Sequence, residues 1–238
     1  MISIVMPAWN EEKYIAESLT ALLAAVRRAE ACGYGCEVIV VDNASTDATV
    51  ERARAFPVRI VREEVRRIAT ARNAGARAAG GRVLAFIDAD SRASDNSLVR
   101  IVETLDSGRF IGGGVKVRFE RWTLRAALAY GGLPVAMRVL GLSAGMVFTT
   151  SDVFRALGGF DERLFAGEDL QFLRALRRHG AKCGKKFANL SDVYVITSIR
   201  KVGNMRFKDW LLYPRFLIDR NAARRRENCA LWYDARYR

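Results

Sequence analysis

Two carboxylates one residue apart, Asp88 and Asp90, close the stretch GRVLAFIDAD where an apolar run ends. A pair of acids at such a tip can share a hard divalent cation, because Mg²⁺ and Mn²⁺ take oxygen ligands and usually keep phosphate oxygens in their shell. A cation held there would neutralise a diphosphate and stabilise it as it leaves. The chain as a whole carries 39 Lys and Arg against 26 Asp and Glu, a formal charge of +13, which suits an anionic partner. A cation between the two acids and an anionic substrate reconciles the acidic tip with the basic chain. Two more polar clusters follow apolar runs: Pro7-Ala8-Trp9-Asn10-Glu11 after ISIVM, and Asp42-Asn43-Ala44-Ser45 after EVIVV. A second acidic pair, Glu168-Asp169, opens a helical pattern marked by Leu170, Phe172, Leu173 and Leu176. A carboxylate at a helix start has a fixed position and can take a proton as a general base, or can serve the helix dipole alone.

The elements that must position these residues alternate. ISIVMP reads as a short strand. Ile15, Leu19, Leu22, Leu23 and Val26 form a helical stripe. EVIVVDN is a β-branched run of the kind buried on both faces of a sheet. ASTDATVERARAF predicts a helix capped by Ser45 or Thr46. VRIVRE is a third strand, RIATARNAGARAAGG a small-residue helix ended by Gly80 and Gly81, and RVLAFID a fourth strand. SDNSLVRIVETL is a further capped helix and FIGGGVKVRF a fifth strand. Strand–helix alternation predicts an α/β fold with a mostly parallel central sheet and helices on both faces. Ligands bind such sheets at the carboxyl ends of the strands. All three polar clusters would then meet on one rim. Further on, Gly158-Gly159 predict a tight turn, and VYVIT another strand.

Four segments together resemble the successive motifs of family 2 glycosyltransferases: VMPAWNEEKYI, VIVVDNASTDAT, ARNAGARAAGGRVLAFIDAD and GGFDERLFAGEDLQFLRALRRHG. The resemblance covers about residues 1 to 200. It implies the GT-A fold: a Rossmann-like nucleotide-sugar-binding half over 1–118, an acceptor-binding and catalytic half over 119–200, and beyond it a basic amphipathic helical tail over 201–238. It implies inverting transfer of a sugar from a nucleotide-diphosphate donor, a UDP-sugar, to an acceptor hydroxyl. By the same resemblance Pro7, Ala8, Asn10 and Glu11 line the base and ribose pocket, Asp42 holds the base, and Arg72 lies near the nucleotide. Asp88 and Ala89 belong to the donor site, and Asp90 is the ligand of Mn²⁺ or Mg²⁺. Asp169 is the base, with Glu168 beside it. Many members place a downstream histidine near the metal; here Ser198, Ile199, Arg200 and Lys201 follow the last strand, and Arg200 would neutralise the diphosphate directly. His179, the single histidine, ends a helix, where it complements the dipole.

Residues 200–238 hold 11 Lys and Arg against four acids, a net +7 of the total charge. Two segments, 121–148 and 205–226, are rich in apolar and aromatic residues. The second, MRFKDWLLYPRFLIDRNAARRR, reads as a helix kinked at Pro214 that either rests on an anionic membrane surface, or packs on the catalytic domain or on a second copy in a homodimer. The N-terminus lacks the basic-then-apolar order of a signal peptide, and no run of about 18 uncharged apolar residues appears. The expectation is a cytoplasmic enzyme of cell-envelope polysaccharide or lipid-linked glycan synthesis, held peripherally at the inner face of the membrane. The four cysteines show no paired metal-ligand spacing. Two other readings have specific requirements. A nucleotidyltransferase would want a Gly-rich basic loop after the first strand, and PAWNEEKY has none. A nucleic-acid-binding protein would interleave exposed aromatics with basic residues, which only the tail offers; no nucleic-acid partner is expected.

Overall fold

The computed structural model describes residues 1–120, 145–198, 222–229 and 233. Arg200 and nearly all of the two apolar segments, 121–144 and 205–221, lie outside the described residues. Eight strands form one sheet in the order β3-β2-β1-β4-β7-β6-β8-β5. The strands are β1 (Ile2–Ala8), β2 (Cys36–Asp42), β3 (Arg59–Arg62), β4 (Val83–Ile87), β5 (Ser91–Ala93), β6 (Phe110–Phe119), β7 (Met146–Thr150) and β8 (Lys186–Thr197). The helices are α1 (Ile15–Ala31), α2 (Thr49–Arg54), α3 (Ile68–Ala78), α4 (Ser97–Asp106), α5 (Ser151–Ala156) and α6 (Glu168–Lys182).

The first four main strands pair in parallel, β3 on β2, β2 on β1 and β1 on β4. The fifth strand of the sequence pattern, FIGGGVKVRF, forms as β6 but does not pair with β4. The short run MVFTT inserts as β7, antiparallel to both β4 and β6. β6 then runs parallel to β8, with register breaks between Phe110 and Gly112 and after Val115, and the three-residue β5 pairs antiparallel on β8. The second half of the chain therefore adds strands to the same sheet.

Each face carries its own core. On one face α1 and α4 bury Ile15, Leu19, Leu22, Leu98 and Ile101 against alternate residues of β1, β2 and β4. On the other, α3, α5 and α6 bury small residues and four phenylalanines. Gly75 lets α3 lie close to the sheet: a Cβ there would come within 2.3 Å of Val5 and 2.9 Å of Val41. Phe86, Phe154, Phe160 and Phe172 pack with ring centroids 4.8 to 5.5 Å apart, in the range of favourable aromatic pairs. This apolar floor lies under the acidic residues.

Helix α2 begins at Thr49, later than the sequence pattern predicts, and neither Ser45 nor Thr46 caps it. Asp47 accepts from the Thr49 N–H at 3.0 Å instead. Ser45 and Thr46 are spent on Asn10. The expected turn at Gly158-Gly159 forms, both residues having φ in the left-handed region (76° and 73°). A side chain at Gly159 would collide with Asn73 Oδ1 at 2.7 Å. Among the described residues no helix is long and apolar enough to cross a membrane.

Candidate functional site

Strand register brings the three predicted clusters to one rim. Val5 pairs with Ile39 on one side and Phe86 on the other, and Ala8 pairs with Asp42. The last residues of β1, β2 and β4 therefore end at a common level, where Asp42, Ala8 and Asp88 stand side by side along the carboxyl edge.

The β1 and β2 ends are tied together. Asn10 and Ala44 both adopt positive φ, 52° and 61°. Asn10 donates its backbone N–H to Ser45 Oγ at 3.2 Å, and its Oδ1 accepts from the Thr46 N–H at 2.9 Å. Glu11 donates its N–H to Thr49 Oγ1 at 2.7 Å and is buried. Asp42, also buried, accepts the Ser45 N–H on Oδ1 at 2.9 Å and Arg62 Nη1 on Oδ2 at 2.7 Å. Arg62 is the β3 residue in direct register with Asp42. Sequence reasoning misses it, although parallel pairing of VRIVRE beside EVIVVD is the signal that would place it there. Pro7 and Ala8 supply backbone to this edge, and the Trp9 ring lies under the Arg66 guanidinium, 3.4 Å from the ring centroid.

The acidic residues gather around Arg72. This guanidinium is only 7% exposed, on α3. It donates Nη1 to Glu168 Oε1 at 2.6 Å and Nη2 to Asp88 Oδ1 at 2.8 Å, and lies over the Phe160 ring at 5.3 Å. It thus joins a strand-end acid to the acid that opens α6. Its Nε has no partner among the described residues. Neighbouring Asn73 pins the loop before α6: Nδ2 donates to the Phe160 carbonyl and Oδ1 accepts the Phe160 N–H, each at 2.9 Å. Gly167, with φ of 74°, turns the chain into the helix.

Burial sets the electrostatics. Glu168 is 4% exposed, and desolvation pushes its carboxyl up to about 7, against the opposing pull of Arg72. Asp169 is raised in the same direction, first by burial and in part by the Asp88 charge. It keeps some contact with solvent, as Glu168 does not. Arg72 is held firmly charged by Asp88 and Glu168, which outweigh its own desolvation. Asp88, with half of its side chain exposed, opens toward the rim, while Ala89 and Asp90 are buried behind it.

The donor set suits a divalent cation in one specific way. No group of three His, Cys, Asp or Glu side chains gathers among the described residues, and one oxygen of Asp88 is committed to Arg72. A cation of the Mg²⁺ type needs only one or two carboxylates when substrate phosphates complete its shell. Asp88 and Asp90 are the carboxylates at the end of β4 that could supply them.

The family profile for glycosyl transferase family 2 matches residues 3–155. The chain belongs to glycosyl transferase family 2. Among curated relatives of this family 2 chain, the glycosyltransferase AglE of Haloferax volcanii is 28% identical over 97% of the chain and 79% of its own length. A dolichol-phosphate mannosyltransferase of Pyrococcus furiosus is 26% identical over 51% of the chain and 36% of its own length. Solved structures with the same GT-A fold include a mannosyltransferase from Pyrobaculum calidifontis in complex with GDP-Man and Mn²⁺. It has a TM-score of 0.64 and 20% identity, covering 99% of this chain and 70% of that one. S. aureus TarS 1-349 in complex with UDP-GlcNAc has a TM-score of 0.61 and 21% identity, covering 82% and 58%. The family 2 chain spans 44% of the longer TarS chain.

Proposed function

We propose that this family 2 chain transfers a sugar, with inversion, from a UDP-sugar to an acceptor hydroxyl. The observation that carries the reading is the rim itself: Asp42, Asp88, Arg72 and the Glu168-Asp169 pair, drawn from four separate elements, converge at the carboxyl ends of parallel strands. The pairing of a nucleotide sugar with a protein of this fold in two solved neighbours supports it. Pro7, Ala8, Asn10, Glu11 and Asp42 would hold the base and ribose, and Asp88 the ribose or sugar. Residues 1–118 would form the donor half, 119–200 the acceptor half, and 201–238 the tail.

Asp169 is the better base because it reaches solvent, whereas Glu168 is sealed against Arg72. In the step, Asp169 takes the acceptor hydroxyl proton. The acceptor oxygen bonds to the anomeric carbon on the face opposite the donor phosphate, and the bond to the diphosphate breaks. Asp90 would hold Mn²⁺ or Mg²⁺, which when bound neutralises the departing diphosphate. Arg200 would assist from the segment after β8. A lipid-linked or envelope glycan acceptor, met by a peripheral enzyme at the inner face of the membrane, is supported by the name of the Pyrococcus relative and by the basic tail.

A thermal-shift panel of UDP-, GDP-, CDP- and ADP-sugars, with and without Mn²⁺, tests this. A ligand at 100 times its Kd adds about 2.7 kcal/mol, a readily measured effect. A UDP-sugar should stabilise most, and Mn²⁺ should enhance it in the native chain but not in Asp90→Ala. No response to any nucleotide sugar sinks the transfer reading; unchanged metal dependence in Asp90→Ala sinks the ligand assignment.

A further inference from the structure

The C-terminal piece Ala222–Cys229, with Tyr233, lies beyond the family match and beyond the four recognisable motifs. It is nonetheless fastened to the acid site from two directions. The Phe165 N–H donates to the Ala223 carbonyl at 2.7 Å. Arg66 donates to the Tyr233 carbonyl, and the Ile68 N–H approaches the Tyr233 hydroxyl at 3.4 Å. The Tyr233 ring meets Phe165 edge-on, centroids 5.5 Å apart, and fully buried Cys229 packs with Tyr233 and Ala166. Phe165 and Ala166 immediately precede Gly167 and Glu168. Ile68 opens the helix that carries Arg72, and Arg66 lies just ahead of its N-cap, Arg67. The piece therefore grips both segments that deliver the Arg72–Glu168 ion pair, and through Arg66 it reaches Trp9 on the donor side.

We infer that this piece is a wall of the site and that Tyr233 is a positioning residue, clamping the loop ahead of Glu168 to the start of the Arg72 helix and excluding water from the ion pair. Its kinetic consequence rests on the sugar-transfer reading; the docking itself does not. The groups that face Glu168 are Arg72, Asp88 and Asp169 from the body, and Tyr233 and Cys229 from the tail. Burial, and after it the Glu168 charge, lifts the Tyr233 hydroxyl and the Cys229 thiol, each to about 12, in keeping with their packing on Phe165 and Ala166 just ahead of Glu168. Arg224, Arg225 and Arg226 are exposed, and Arg226 lies over the Tyr233 ring at 5.7 Å. The long hydroxyl contact adds little, so the ring is the part that matters. Phenylalanine should replace Tyr233 and alanine should not.

The test compares the full native chain with Tyr233→Phe and Tyr233→Ala. Alkylation followed by mass spectrometry reads docking, since Cys32 and Cys183 are exposed and Cys229 is not. Cys229 should react at least about tenfold more slowly than Cys32 in the native chain and in Tyr233→Phe, and should lose that protection in Tyr233→Ala. The pH profile of kcat/KM reads the role in the site. Tyr233→Ala should move the acid limb down by about one pH unit as water reaches the coupled Glu168–Asp169 pair and relieves the burial that raises both carboxyls, with kcat lowered and donor KM little changed. Tyr233→Phe should follow the native profile. If the native chain turns over no nucleotide sugar, the transfer reading fails, and the same downward movement is sought in the pH dependence of urea unfolding. Equal labelling of Cys229 and Cys32 in the native chain overturns the docking. Deprotection of Cys229 in Tyr233→Ala with the pH dependence unmoved overturns the positioning role.

Discussion

Replacing Glu168 by glutamine keeps the side-chain shape and one acceptor for Arg72 but removes a buried titrating group. In the native chain the carboxyl lies at about 7 against an ordinary value of 4.5. A group whose folded value is raised contributes stability that is full below its unfolded value and is lost as pH rises through its folded value. The window is therefore pH 4.5 to 7, and stability from this group falls with rising pH. Between pH 5 and pH 8 the loss is about 2 to 3 kcal/mol, since a tenfold change in proton affinity corresponds to roughly 1.4 kcal/mol. Glu168→Gln has no such loss. The variant's stability deficit relative to the native chain should therefore shrink, or change sign, on going from pH 5 to pH 8 by that amount. Acids remote from Glu168 titrate in both proteins and cancel to first order in the difference; Asp169, whose charge helps to raise Glu168, titrates together with it and contributes to the same window. Urea unfolding followed by circular dichroism at the two pH values measures it. With a slope near 3 kcal/mol per molar, roughly that of a chain this size, the native midpoint should move relative to the variant's by about 1 M. If the difference between the two proteins is the same at both pH values within about 0.5 kcal/mol, burial does not outweigh the pull of Arg72, Glu168 stays ionised across this range, and the raised value is wrong.

Asp169→Asn should lower kcat by about 10² to 10⁴-fold and leave donor binding by thermal shift nearly unchanged, because a base acts in the transition state; a variant keeping more than about a tenth of the rate would remove Asp169 from that role. The exposed Arg224, Arg225 and Arg226 should favour anionic vesicles by roughly 1 kcal/mol each at low salt. Changing all three to Gln should reduce sedimentation with phosphatidylglycerol liposomes, and native protein that stays in the supernatant at low salt contradicts a membrane-facing tail.

What the sequence disclosed, and what it withheld, divides along a physical line. Local patterns survived folding except at helix starts, where the side-chain caps expected for α2 and α4 do not form. The stripe from Ile15 to Val26 is buried as expected, the β-branched run ending at Asp42 is a central strand, and Glu168 opens its helix. These depend on periodicity and on turn chemistry that a few neighbours decide. Asn10, Asp42 and Asp88 could be grouped because parallel strands must end together. The insertion of β7 between β4 and β6 could not be read, since a five-residue apolar strand carries no mark of its partner or direction.

The partners of the charged residues were equally hidden, and they alter the chemistry most. Asp42 shares its carboxylate with Arg62, and Asp88 shares one with Arg72, so neither stands ready as a bare acceptor for a donor nucleotide. On the proposed assignment, a donor would bond to the remaining lone pairs or displace an arginine. Displacing Arg72 from Asp88 would leave the guanidinium to the α6 acids, Glu168 and the nearby Asp169. That would tighten the pair with Glu168, because the positive charge would then face one carboxylate fewer. On the proposed assignment, donor binding on the strand rim and the electrostatics of the α6 acids would be coupled through a single buried side chain, because Arg72 is ion-paired to both Asp88 and Glu168.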